Sequence, residues 1–99
     1  MITFIRTATM TPGKTQEAMT FAHQVALLCE RITGIKVGVS VPIAGNPFRV
    51  AWTSATPDLG VVETAMDKLL SNKEYVELVE SAAPYFLPGT VHDEMWRGV

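Results

Sequence analysis

The stretch Ile35-Lys36-Val37-Gly38-Val39-Ser40-Val41-Pro42-Ile43, followed by Ala44-Gly45-Asn46-Pro47, decides how this chain is read. Five β-branched residues alternate strictly with Lys36, Gly38, Ser40 and Pro42, the period-two pattern of a strand covered on one face only. Pro42 has no N–H to give to a ladder, so the strand lies at a sheet edge or ends near that residue. Residues 44–47 turn the chain, and residues 48–55 resume extended character, which makes a hairpin. An even-numbered turn sets Ile43 opposite Phe48, Val41 opposite Val50 and Val39 opposite Trp52.

Outward from the hairpin, each flank carries a helical pattern. Before it, Ala18, Phe21, Ala22, Val25, Leu28, Cys29 and Ile32 recur at three-and-four spacing, with Thr11 as N-cap or turn residue and Gly34 as the left-handed stop. Residues 2–10, β-branched and free of Gly and Pro, form an opening strand. After the hairpin, Thr56-Pro57-Asp58 starts a second helix through Val62, Ala65, Met66, Leu69 and Leu70. Ser71-Asn72-Lys73 interrupts it, and Tyr75, Leu78, Val79 and Ala82 continue at an angle toward Pro84. Leu87-Pro88-Gly89 then opens a last strand over residues 90–97.

The order β-α-β-β-α-β is the split βαβ, or ferredoxin-like, arrangement of the α+β class: a four-stranded antiparallel sheet with its helices on one face. All 99 residues fit one such domain. The other face is left uncovered. Phe4, Trp52, Met95 and Trp96 lie on strands, and alternation sends some of them to that side, so a homodimer closed through the open sheet face is expected.

Composition narrows the partners. Hydrophobic residues make up 47% and charged residues 18%, enough apolar material for a core and too little charge for disorder. The net charge is −2 and no Lys/Arg run could track a phosphate backbone, so nucleic acid is not an expected partner. The start lacks a basic segment followed by an apolar one, and nothing approaches the ~20 apolar residues of a membrane span, so a cytosolic location is expected. Cys29, the single cysteine, excludes an internal disulfide and a cysteine cage, and the two histidines have no ligand spacing. Neither a metal nor a cofactor is expected.

Two further stretches carry a resemblance. Phe4-Ile5-Arg6-Thr7-Ala8-Thr9-Met10-Thr11-Pro12-Gly13-Lys14 resembles the opening strand and Pro-Gly-Lys turn of NIPSNAP-like proteins, members of the dimeric α+β barrel superfamily. Tyr85-Phe86-Leu87-Pro88-Gly89-Thr90-Val91-His92-Asp93-Glu94-Met95-Trp96-Arg97 is similar to that superfamily's closing strand. The resemblance implies two sheets packed face to face into a barrel able to hold a small molecule. It spans cofactor-free monooxygenases on polyketide or quinol-like substrates, haem-degrading enzymes, isomerases and members of unknown role. The haem-degrading members use a first-strand Asn and a later-helix Trp and His, and this chain has none of the three. NIPSNAP-like first strands commonly flank the Arg with Glu and Tyr, where this chain has Phe4 and Ala8.

Several side chains are candidates for chemistry. Arg6 sits mid-strand among apolar neighbours and must reach water or pair with a carboxylate, for which Asp93 or Glu94 on the neighbouring last strand is placed. Arg6 and His92 are the candidate catalytic groups, His92 as a general base. Phe4, Trp52, Tyr85, Asp93 and Trp96 are the candidate ligand-binding residues, with core or dimer packing as the alternative for each aromatic. His23 reads as a partly buried boundary residue, and Cys29 as an inert small hydrophobe. Three functions fit: a homodimer binding a small apolar or aromatic molecule, a cofactor-independent monooxygenase or isomerase using Arg6, His92 and Trp52, or a pure dimerisation module.

Overall fold

The structure, a computed structural model, describes residues Met1–Val99. Its elements are β1 (Ile2–Thr9), α1 (Thr15–Thr33), β2 (Gly38–Ser40), β3 (Arg49–Thr56), α2 (Leu59–Leu70), α3 (Lys73–Ser81) and β4 (His92–Arg97). The strands form one antiparallel sheet in the order β2-β3-β1-β4, the ferredoxin-like α+β arrangement with its second helix in two pieces.

The breaks follow local chemistry. In the Thr11-Pro12-Gly13-Lys14 turn, Gly13 takes φ +86° and the Lys14 N–H donates to the Thr11 carbonyl, so Thr11 serves the turn and Lys14 opens α1. Gly34, at φ +76°, closes α1 by donating to the Glu30 carbonyl. The Asp58 carboxylate accepts the Val61 N–H at 3.0 Å, and the Asn72 side chain accepts the Tyr75 N–H at 2.9 Å. Those two caps start α2 and α3 and explain why the helical pattern breaks at Ser71-Asn72-Lys73.

The hairpin strand is shorter than its alternation predicts. Only Gly38–Ser40 joins the ladder, with Val39 opposite Trp52 as expected, and the Val41–Val50 and Ile43–Phe48 pairs do not form. At one end the Ile35 N–H donates to the Thr33 hydroxyl and is held by the helix terminus. At the other, the inward phase slips by one residue, leaving Val41 exposed and Pro42 half-buried. β2 is an edge strand, as Pro42 indicated. The last strand begins at His92 rather than Thr90, because the Thr90 hydroxyl takes the Thr9 N–H and donates to the Leu87 carbonyl in place of a ladder.

α1 lies on the sheet through Ala18, Phe21, Ala22, Val25, Ala26 and Leu28. Ala18 and Ala22 let the helix approach Met10 and Val50, the two large side chains most completely enclosed. Phe21 meets Trp52 and Phe86 edge-on, with ring centroids 6.3 and 5.7 Å away. Only 12 of 99 residues are buried, and neither α2 nor α3 contributes one, so the core enclosed by a single copy is thin.

Candidate functional site

Register assigns every strand residue to a face. On β1, Ile2 and Ala8 are buried under the helices, as is Met10 just after it, so Phe4 and Arg6 point the same way and Thr3, Ile5, Thr7 and Thr9 point to the open side. Arg6 pairs with Trp52 on β3 and Asp93 on β4, which places Phe4, Arg6, Trp52 and Asp93 together on the helix side. Thr7 pairs with His92, and Thr3 with Trp96, so His92, Glu94 and Trp96 lie on the opposite face. Arg6, Trp52 and His92 therefore do not meet at one site within a copy.

The Arg6 guanidinium grips Asp93 with two bonds, Nε to Oδ1 at 2.7 Å and Nη2 to Oδ2 at 2.8 Å, and lies 5.7 Å from the Phe4 ring centroid. Of the two carboxylates expected as its partner, Asp93 is the one it takes. The pair is half-open to water, with Arg6 34% and Asp93 39% exposed. The bond to Asp93 raises the Arg6 pKa, and the same bond holds the Asp93 carboxyl below the usual carboxylate value.

Two residues not foreseen as site members stand beside this pair. Tyr75 of α3 and Cys29 of α1 both feel the charge of Arg6, and both are pushed to higher pKa chiefly by burial. Burial thus keeps a phenol and a thiol in their protonated forms near a guanidinium whose charge Asp93 balances. The Phe4 ring lies beside that guanidinium as an apolar neighbour. In the sequence, Tyr75 and Cys29 are members of the apolar helix stripes, and only the packing of α1 and α3 over β1 reveals them as neighbours of Arg6.

The remaining candidates have other duties. Trp52 donates its indole N–H to the Ala22 carbonyl at 3.1 Å and packs on Phe21 and Phe86, which makes it a core residue that can at most wall a pocket. Tyr85, in a short 3-10 turn over Ala83–Tyr85, packs against the same core and borders a cleft of about 450 Å³ between α1 and α3. On the open face the Trp96 N–H donates to Glu94 Oε1 at 2.9 Å, and Glu94 Oε2 lies 3.2 Å from His92 Nε2. His23 is exposed rather than partly buried, because α1 turns it away from the sheet, and Cys29 is half-buried. No cluster of three metal-ligating side chains exists. No helix is long and apolar enough to cross a membrane.

No protein-family model matches the sequence, and no curated protein is significantly similar to it. Solved structures do match the fold. An uncharacterized NIPSNAP domain protein from Burkholderia xenovorans superposes with a TM-score of 0.84 at 16% identity, over 100% of this chain and 95% of that one. A NIPSNAP family protein from Agrobacterium tumefaciens gives 0.83 at 15% identity, over 99% and 92%. An antibiotic biosynthesis monooxygenase candidate from Deinococcus radiodurans gives 0.76 at 12% identity, over 100% and 93%. The fold is thus shared with NIPSNAP and antibiotic biosynthesis monooxygenase-like structures, as the two terminal motifs led one to expect.

Proposed function

We propose that the chain works as a homodimer closed through the open sheet face, and that each copy binds a small, mostly apolar or aromatic molecule between sheet and helices. The surface area supports the dimer. One copy exposes 6399 Å² at 10.8 kDa, whereas a folded monomer of that mass exposes roughly 5,500 Å². The excess, about 900 Å², is close to the ~800 Å² per partner of a stable interface. The molecule is also flat, 38 × 34 × 21 Å, as one layer pair of a larger assembly would be.

The observation that carries ligand binding is the half-open Arg6–Asp93 pair against Phe4, Tyr75 and Cys29. Asp93 occupies two of the five guanidinium N–H groups, leaving donors for a carbonyl or phenol oxygen, while Phe4 supplies an apolar wall. Native mass spectrometry of freshly purified protein tests this reading. A copurified small molecule is expected on the wild type and lost on Arg6→Met. Retention on that variant would take the ligand away from Arg6, and a bare wild type that also ignores a panel of quinols and aromatic polyketides would leave only the dimerisation module.

A second reading, turnover by a cofactor-independent monooxygenase or isomerase at the Arg6–Asp93 pair, is favoured by the Tyr75 phenol near the Arg6 guanidinium, groups suited to polarising a phenol or enol. Oxygen uptake on the quinol panel, abolished by Tyr75→Phe, would support the oxygenase form.

A further inference from the structure

The open face carries a charge pattern that a single copy leaves at the surface. Its strand residues are Thr3, Ile5, Thr7 and Thr9 on β1, Gly38 and Ser40 on β2, Arg49, Ala51, Thr53 and Ala55 on β3, and His92, Glu94 and Trp96 on β4. That set holds one permanent cation, Arg49, and one carboxylate, Glu94. They flank the central strand β1, Arg49 from the β3 side and Glu94 from the β4 side. Both lean toward the level of Thr7. Arg49 Nη2 donates to the Thr7 hydroxyl at 3.2 Å, and Glu94 reaches back to His92, the residue paired with Thr7.

Among the two-fold axes that can close two such faces, one lying directly over β1 and parallel to it sets β3 of one copy over β4 of the other and keeps each residue's level along the strand. Facing sheets stand about 10 Å apart, a gap that two long side chains meeting midway fill. Resting on the homodimer proposed above, we infer that Arg49 of each copy pairs with Glu94 of the other, so that two intersubunit ion pairs set the register of the closed face. The pattern is self-complementary, as a two-fold interface requires: two guanidinium groups meet two carboxylates. Trp96 steadies the acceptor, its N–H holding Glu94 Oε1.

Sedimentation equilibrium on the full chain tests the pairing with Arg49→Glu, Glu94→Arg and the double reversal, each checked for folding by circular dichroism. Each single reversal should weaken self-association by at least about tenfold, because like charges then face one another across the interface. The double reversal should return it to within about threefold of wild type. Where a reversal fails to fold, Arg49→Gln, Glu94→Gln and their double give the same readout, since a direct pair makes the second loss cost less than the first. Singles that associate like wild type, or a double variant as weak as the two losses combined, would overturn the pairing while leaving the dimer intact. A wild type that stays monomeric would instead remove the homodimer itself.

Discussion

The two faces of the sheet share the same strands and differ by one residue of phase. On the helix side Ile2, Ala8, Met10 and Val50 are buried and Trp52 locks its indole to α1. One position over, Thr3, Ile5, Thr7 and Thr9 stay half-exposed beneath a polar array of Arg49, His92 and Glu94. The covered face spends its apolar residues on holding the domain together. The open face, β-branched but mostly hydroxylated, tolerates water and keeps the shape and charge needed to meet a partner.

That division predicts unequal responses to substitution. Phe21→Ala removes the ring between Trp52 and Phe86 on the covered side and should cost about 3–5 kcal/mol in chemical denaturation, enough to unfold much of the population. Thr53→Asp lies on the open side against Ile5 and Gly38. It should lower single-copy stability by no more than about 1 kcal/mol, yet weaken self-association by at least about tenfold, because a carboxylate is desolvated there. Equal losses in both assays would erase the distinction between the faces.

The smallest expected effect concerns the half-open pair. Asp93→Asn should cost about 1 kcal/mol at neutral pH, since solvent screens Arg6 and its partner. The bond from Arg6 holds the folded Asp93 carboxyl below its ordinary value, so the difference between wild type and variant is full above that ordinary value and fades as pH falls through the lowered one. Denaturation curves across that window that stay parallel would mean the ion pair contributes nothing to folding.

Periodicity made the element order legible, and the turn residues made the breaks legible: Gly34, Asp58 and Asn72 stand where each helix begins or ends because their own atoms satisfy the backbone there. Alternation could not tell that Thr33 and Thr90 would divert backbone N–H groups and shorten β2 and β4, since a hydroxyl in a strand-like run looks the same whether it faces solvent or caps a turn. The Arg6–Asp93 pair was within reach because neighbouring strands and an awkward mid-strand charge suggest it. Tyr75 and Cys29 were not, because a helical stripe shows which side is covered and leaves open what covers it. For the same reason Trp52 looked available for a ligand until its N–H was found on Ala22.

Sedimentation equilibrium of the wild-type chain at micromolar concentration probes the open face most directly. A species of twice 10.8 kDa is expected, with Thr53→Asp shifting it to a single copy that remains folded. A wild type that sediments as one copy throughout that range, its open face bathed in water, would contradict closure by a twin.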